Sequence, residues 1–199
     1  MGSAVVQIDA ILLAAGSSSR FGSDKRLFLI DGVPMLQRAI AVIIDAVRSV
    51  TVVLKCGDVE SLPLLLGNFF SDRRVIPVFL DNPAAGIGNN LARSVQQLPD
   101  DCDGVLVMLA DMPYVQSQTV QAVVNAYESG KIITPVWIGG NDKEQRGHPV
   151  LFAKKFFSEL VLLDGDVGAR AVLQQYAQSV ISLPVSDAGI LRDMDVPPI

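Results

Sequence analysis

Residues 7–25 read QIDAILLAAGSSSRFGSDK, an apolar run that leads directly into a loop rich in glycine and serine. The segment Gln7–Ala14 is almost wholly apolar, which is typical of parallel strands covered on both faces. The loop after it contains two glycines, four serines and the cations Arg20 and Lys25. Small residues let backbone N–H groups approach a phosphate closely, and cations neutralise its charge. The stretch therefore predicts a buried strand that ends in an anion-binding loop.

Outward from this stretch, strand-like and helix-like patterns alternate until about residue 128, where the alternation breaks. Further strands are predicted at 50–54, 75–80, 104–110, 132–138, 149–153 and 180–183, and helices after Pro34 and over 62–70, 91–98, 120–127, 154–162 and 168–176. This pattern predicts a single α/β domain over residues 1–199, a three-layer α/β/α sandwich with a mostly parallel, Rossmann-like sheet and an inserted hairpin. We expect ligands beyond the carboxyl ends of its strands, in the loops after Ala14, Leu80 and Ala110.

Charge and composition exclude several classes of partner. The 199 residues have a formal net charge of −5, which argues against a nucleic-acid polymer because non-specific binding requires many neutralised phosphates. The longest unbroken apolar runs have six residues, whereas a membrane-spanning helix needs about 20. Two cysteines cannot build a disulfide framework, and no secretory signal pattern is present. We therefore expect no membrane segment and a cytoplasmic location.

The phosphate-binding loop does not follow either of the two common nucleotide-binding patterns. Gly16 and Gly22 have five residues between them, whereas the Walker pattern has four and is followed by Lys-Ser/Thr. Ser18 and Phe21 stand where a dinucleotide fingerprint needs glycine. His148 is the one histidine in the sequence and no Gly-x-Ser-x-Gly motif is present, which argues against a hydrolase triad.

A set of short segments, taken in chain order, does form a recognisable signature. The segments are Leu13–Gly16 with Ser18, Arg20, Phe21, Gly22 and Lys25; Asp31–Leu36; Gly86–Leu91; Leu109–Pro113; Gly147–Leu151; Gly165–Arg170; and Asp193–Pro197. Together they resemble the MobA-like NTP transferase family, and most closely its molybdenum cofactor cytidylyltransferase members. The resemblance covers nearly the whole chain.

The resemblance implies transfer of CMP from CTP to the phosphate of molybdopterin, with release of pyrophosphate and a need for Mg²⁺. It implies that Arg20 and Lys25 hold the triphosphate and that Asp111 is a catalytic metal ligand, with Asp195 as a second ligand. The implied nucleotide-binding residues are Leu13, Ala14, Ala15, Gly16, Ser17, Ser18, Ser19, Arg20, Lys25, Gly86 and Asn90. The implied residues on the pterin side are His148, Asp166 and Arg170. The product would pass to a molybdenum hydroxylase apo-enzyme.

The choice of nucleotide is left open by three positions. Ala15 stands where the guanylyl-transferring branch has glycine, and its methyl group favours a smaller pyrimidine base. Asp24-Lys25, by contrast, is a pairing common in the guanylyl branch, and Asn90 replaces the serine that is usual in the family. Guanylyl transfer to the same cofactor is therefore an alternative.

The acceptor and the roles of three single residues are open as well. A sugar- or polyol-phosphate nucleotidyltransferase could use the same fold, and a non-catalytic cofactor-binding chaperone could use the same pocket. Asp111 could instead cap the helix that follows it, Asp195 could be a surface carboxylate in a loose tail, and Arg170 could form a structural salt bridge.

Overall fold

The computed structural model describes residues 5–16, 21–81, 86–139 and 143–195. Four predicted site residues, Ser17, Ser18, Ser19 and Arg20, lie outside the described residues. The strands are β1 (Ile8–Leu13), β2 (Leu29–Ile30), β3 (Val33–Pro34), β4 (Val50–Lys55), β5 (Val75–Leu80), β6 (Gly104–Leu109), β7 (Ile132–Ile138), β8 (Glu144–Arg146), β9 (Val150–Ala153) and β10 (Val180–Val185). The α-helices are α1 (Met35–Ile43), α2 (Leu62–Leu66), α3 (Ile87–Val95), α4 (Ser117–Asn125), α5 (Phe157–Val161) and α6 (Arg170–Gln175).

Eight of these strands form one mixed sheet, which confirms the predicted α/β class. Its order is β10-β7-β9-β6-β1-β4-β5, with β8 paired to β7. β1 lies between β6 and β4 and is parallel to both, and β5 continues the parallel run. β9 is antiparallel to both of its neighbours, β6 and β7. The predicted break after residue 128 is therefore the inserted hairpin, whose strands β7 and β9 are antiparallel. The short strand β8, which also pairs with β7, was not predicted.

Alternate residues of the central strands pack against two different helical layers. Ala10 and Leu12 of β1 lie in an apolar cluster with residues of α1 and α4. Ile11, which points to the other face, lies in a second cluster with residues of α3, α5 and α6. All three strand residues are fully buried, as the apolar run predicted. This arrangement is the three-layer sandwich expected from the alternating pattern.

Three of the predicted helices are shorter than their apolar patterns indicate. The pattern over 62–70 is split because Gly67 takes a positive φ of 52°, which ends α2, and a 3-10 turn over Gly67–Ser71 follows. The pattern over 154–162 likewise begins as a 3-10 turn before α5, and that over 168–176 is helical only in α6. None of the helices in the described residues has the length and apolar character needed to cross a bilayer.

Candidate active site

A lysine and two carboxylates meet at the carboxyl edge of the sheet. Asp111 follows β6 after one residue, and Lys25 lies on the 3-10 turn Lys25–Leu27 beyond the first loop. The Lys25 Nζ atom is 2.6 Å from Oδ2 of Asp111 and 3.5 Å from Oδ1 of Asp195. Residues from the beginning, middle and end of the sequence are thus brought together, as the resemblance implied.

The second oxygen of Asp111 is suited to a metal ion. Oδ1 is buried and has no hydrogen-bond partner among the described residues, and leaving such an acceptor unsatisfied is costly. Carboxylate oxygens are the hard donors that Mg²⁺ prefers, and Mg²⁺ is commonly held by one or two carboxylates together with phosphates and water. No group of three or more His, Cys, Asp or Glu side chains within the described ranges could hold a metal. Asp111 and Asp195 therefore fit a cation that takes its other ligands from a nucleotide and water.

A cavity of about 540 Å³ opens beside this group at the ends of β1, β4 and β6 and at the start of α3. Its lining residues are Leu13, Ala15, Gly16, Lys55, Gly86, Ile87, Asn90, Leu109, Asp111 and Asp166. A smaller cavity of about 50 Å³ adjoins it and includes Ala14, Lys25 and Arg26 in its lining. The predicted nucleotide-binding residues that the structure describes all line one of these two cavities. We call the two together the donor cavity, after the nucleotide donor that the resemblance places there.

The start of α3 and the loop before α6 pack so closely that no side chain would fit at Gly86 or Gly88. Gly86 has φ 106°, and a Cβ there would lie 2.2 Å from the carbonyl carbon of Gly165. The backbone N–H of Gly88 donates to the carbonyl of Gly165 at 2.8 Å. This contact brings Asp166 to the wall of the donor cavity. Asp166 is not among the residues that line the cavity containing His148 and Arg170.

That neighbouring cavity has a volume of about 760 Å³ and shares Leu13, Ile87 and Leu109 with the donor cavity. Its other apolar lining residues are Leu91, Val107, Val150, Phe152, Val167, Ala169 and Leu173, and its polar ones are Thr134, Glu144, Arg146, His148, Arg170 and Gln174, with Gly147 and Gly168. It combines an apolar interior with two exposed arginines, which suits an apolar body with an anionic group. We call it the acceptor cavity, after the acceptor substrate that the resemblance places there.

His148 lines this cavity, and its surroundings favour the neutral imidazole. Burial lowers the pKa of His148, and this effect outweighs the opposing influence of the Val107 carbonyl and the Asp111 charge. The Nδ1 atom is 3.4 Å from the Val107 carbonyl oxygen. That oxygen can only accept a hydrogen bond, so Nδ1 carries the proton in this contact and Nε2 is left as an acceptor.

The segment 187–195 crosses the site and brings Asp195 to it. The buried carboxylate of Asp187 accepts a hydrogen bond from the backbone N–H of Gln116, just before α4, at 2.8 Å. Further along, the backbone N–H of Met194 donates to the carbonyl of Asp111 at 2.8 Å, and the Met194 side chain is buried. Asp195 follows Met194 directly and is itself exposed, so the alternative of a surface carboxylate stays open.

Three cationic residues of the site were not predicted from the sequence. Lys55 ends β4 and lines the donor cavity. The rule that singles out the loops after the other strands also points to this position, because Lys55 stands at the carboxyl end of a parallel strand. Arg146 lines the acceptor cavity one residue before the predicted Gly-His-Pro segment. Arg26 follows Lys25 directly, and nothing in the sequence distinguishes its buried side chain from a solvated one.

Comparison with known proteins supports a nucleotidyltransferase. The MobA-like NTP transferase domain matches residues 10–180, whereas no curated protein sequence matches the chain. The structure of Rv0371c from Mycobacterium tuberculosis H37Rv in complex with manganese is similar, with 22% identity, a TM-score of 0.72 and coverage of 90% of this chain and 89% of that one. A nucleotidyl transferase from Methanothermobacter thermautotroptrophicus (Mth528) has 18% identity, a TM-score of 0.76 and coverage of 96% and 92%.

A third similar structure is the inositol-1-phosphate CTP transferase from T. maritima, with 14% identity, a TM-score of 0.65 and coverage of 90% and 86%. At these identities the structures establish a shared fold. The family match covers most of the sequence and agrees with the segments quoted above. This chain is a member of the MobA-like NTP transferase family.

Proposed function

We propose that this protein transfers CMP from CTP to the phosphate of molybdopterin, releases pyrophosphate and requires Mg²⁺. The observation that carries the proposal is the pair of adjoining cavities on either side of Leu13, Ile87 and Leu109. One cavity contains Asp111, and the other has an apolar interior with arginines. A transferase that joins two substrates needs two such sites in contact, because the attacking atom must reach the reacting phosphorus.

On the donor side, the protein supplies charge and orientation rather than a nucleophile, as phosphoryl transfer generally requires. Lys25 would exchange its contact with Asp111 for oxygens of the triphosphate, with Arg20 as a second cation. Backbone N–H groups of the first loop would bind the β- and γ-phosphates. Mg²⁺ held by Asp111 and Asp195 would neutralise charge on the phosphates. The structure of Rv0371c in complex with manganese supports the use of other divalent ions in the same role.

On the acceptor side, an oxygen of the molybdopterin phosphate forms a bond to the α-phosphorus while the bond from that phosphorus to the α–β bridging oxygen breaks. The electron pair leaves with pyrophosphate, whose charge Lys25 and Arg20 would stabilise. The attacking phosphate is already ionised, so no general base is needed. Arg170, the first residue of α6, would bind the acceptor phosphate, and neutral His148 would accept a hydrogen bond from a pterin N–H.

Two observations favour cytidylyl over guanylyl transfer. Ala15 is buried and lines the donor cavity, so its methyl group occupies space that a glycine would leave to the base. Asp24, which gives the sequence its likeness to the guanylyl branch, has a local role. Its Oδ1 accepts from the backbone N–H and Nε of Arg26 at 3.0 and 2.8 Å. The Asp24-Lys25 pairing therefore has a structural explanation that does not involve guanine.

Features of both cavities favour this function over a polyol-phosphate transferase and over a chaperone. A polyol phosphate would need many hydrogen-bonding groups, whereas most residues that line this cavity are apolar or glycine. A chaperone that only stores the cofactor would have no use for the buried oxygen of Asp111 beside Lys25. We place the reaction in the cytoplasm, with an apo molybdenum hydroxylase as the recipient of the product.

The test is turnover with molybdopterin and Mg²⁺ in the presence of CTP, GTP or ATP, with pyrophosphate release and product mass as readouts. We expect a strong preference for CTP and a product heavier by one cytidylyl group. A preference for GTP would overturn the choice of nucleotide. Transfer to inositol 1-phosphate but not to molybdopterin would overturn the acceptor. A D111A protein that still supports hydroxylase maturation at the wild-type rate would favour the chaperone.

A further inference from the structure

Arg26 forms a buried ionic network at the carboxyl edge of the sheet, although it touches no proposed reacting group. Its NH1 atom is 2.5 Å from Oδ2 of Asp58, and its NH2 atom is 2.8 Å from Oδ1 of the same carboxylate. NH2 also lies 2.6 Å from Oδ2 of Asp24, and NH1 donates to the carbonyl of Ala14 at 3.4 Å. The Arg26 side chain is 8% exposed and that of Asp58 is 11% exposed. Removing charges from water to this extent costs free energy. The position of this buried network beside the cavities offers a reason for that cost.

The network joins three pieces of backbone that border the donor cavity. Ala14 follows β1, Asp24 and Arg26 belong to the turn that carries Lys25, and Asp58 lies in the turn after β4. The planar guanidinium fixes these pieces at set distances because it binds carboxylates through paired, directional hydrogen bonds.

Both lysines of the site depend on this arrangement through their backbone. The 3-10 turn of Lys25 begins at Asp24, whose carboxylate binds the Arg26 guanidinium. The backbone N–H of Lys55 donates to Oδ2 of Asp58 at 2.9 Å, and this is the oxygen that also accepts from Arg26. Lysine side chains are long and flexible, so the position of the ammonium group is reproducible only if the backbone is held.

We propose that Arg26 is a positioning residue for nucleotide binding, which sets the backbone of Lys25 and Lys55 around the donor cavity. The inference rests on the proposed function, in which that cavity binds a nucleoside triphosphate. Arg26 lines the smaller cavity, but its guanidinium is bound by Asp24, Asp58 and the Ala14 carbonyl, so we assign its effect to the two lysines.

The chain offers a matched control at the opposite edge of the same two strands. Arg48 precedes β4, and its NH2 and Nε atoms bind the fully buried carboxylate of Asp9 in β1 at 2.5 and 3.0 Å. Neither Arg48 nor Asp9 lines the donor or acceptor cavity. R26M and R48M therefore remove the same chemical group from two comparable ionic networks, of which only one borders the site.

The experiment measures binding of Mg²⁺–CTP by calorimetry without an acceptor, at a temperature well below the unfolding midpoint of each variant. We expect R26M to bind about 10- to 100-fold more weakly than the wild type, since displacing two ammonium groups weakens two charged hydrogen bonds to the triphosphate. R48M should bind within about twofold of the wild type even though it unfolds at a lower temperature. Unchanged binding by R26M, or equal weakening in both variants, would overturn the positioning role.

Two further variants keep the proposal testable if R26M does not fold. D24N leaves the Arg26–Asp58 contact in place and should weaken binding by a smaller factor than R26M. R26K keeps the charge but lacks the planar group, so it should not restore wild-type binding, and full restoration would show that charge alone is required. A wild-type protein that binds no Mg²⁺-nucleoside triphosphate would overturn the proposed function as well, whereas a failure confined to the variants would overturn only the role of Arg26.

Discussion

Similar ionic networks lie at the two ends of β1 and β4: at the amino edge of the sheet, where these strands begin, and at the carboxyl edge, where they end. The two networks differ in what surrounds them. At the amino edge, Arg48 binds Asp9 and Asp101, and Ser49 donates to Asp9 at 2.7 Å. At the carboxyl edge, Arg26 binds Asp24 and Asp58. Each network ties β1 to β4, and each uses a paired contact between a guanidinium and a carboxylate.

The two networks differ in the residues and cavities that lie next to them. The carboxyl-edge network adjoins Lys25, Lys55 and the cavities that contain Asp111, whereas the amino-edge network adjoins none of the three cavities described above. In open α/β sheets the loops at the carboxyl ends of the strands diverge and leave a crevice. The same interaction therefore stabilises the fold at one edge and, on our proposal, shapes a site at the other.

The largest expected effect is on transfer, from D111N. Because the amide loses the charge that would hold the metal, we expect turnover to fall by about 10³-fold or more. The same change leaves the largely buried Lys25 ammonium without the carboxylate charge at 2.6 Å, so we also expect a moderate loss of stability. Turnover and thermal unfolding measured on one preparation would check this. A variant that keeps more than a tenth of wild-type turnover would refute the metal-binding role of Asp111.

The next largest effect is on stability, from the loss of Arg48 at the amino edge. R48M leaves the carboxylate of Asp9 buried without its cation, so we expect a loss of about 3 kcal/mol in the free energy of unfolding. The melting temperature should then fall by about 6–12 °C, while kcat/KM measured well below that temperature stays at the wild-type value. Denaturant unfolding and steady-state kinetics give the two numbers. If kcat/KM fell in parallel with stability, the two edges would not be functionally distinct.

K25M should have opposite effects on two ligands. Mg²⁺–CTP should bind about 30-fold more weakly, because a charged hydrogen bond worth about 2 kcal/mol to the triphosphate is lost. Free Mn²⁺, measured by electron paramagnetic resonance without nucleotide, should bind more tightly, because the ammonium that competes for Asp111 and Asp195 is gone. Unchanged affinity for free Mn²⁺ would mean that Lys25 does not compete with the metal.

The smallest effect is the response of stability to acid. Burial raises the pKa of Asp9, but hydrogen bonds from Arg48 and Ser49 outweigh it, so the pKa lies below its ordinary value. The pKa values of Asp24 and Asp58 are lowered in the same way by Arg26. Carboxylates with lowered pKa values stabilise the fold above pH about 4 and lose this contribution as the pH falls through the folded-state pKa. The unfolding free energy of R48M should therefore decline less than that of the wild type below pH 4. Parallel declines in the two proteins would contradict the assignment to Asp9.

Much of the site was predictable because it follows the ends of the strands. The apolar run before Asp111 identified β6, and the rule for parallel sheets then placed Asp111 near the first loop. Lys55 obeys the same rule, so its position at the end of β4 was within reach of the sequence. The predicted inserted hairpin makes its two strands antiparallel, as β7 and β9 are. The insertion of β9 between β7 and β6 could not be predicted, because no local pattern records which strand is its second neighbour. The pairing of Asp187 with the start of α4 spans 71 residues, and no local pattern records such a contact.

The sequence by itself determined the layers of this protein and the family to which it belongs, because apolar periodicity and short motifs are local properties of the chain. Only the tertiary structure decided which charges are buried and what they face. Arg26 and Lys25 are consecutive cations in the sequence, yet one binds Asp58 and the other binds Asp111. Side chains that leave adjacent residues in different directions meet partners far away in the chain. Packing therefore decides whether a cation forms a structural ion pair or a catalytic one, because packing sets how far each charge is removed from water.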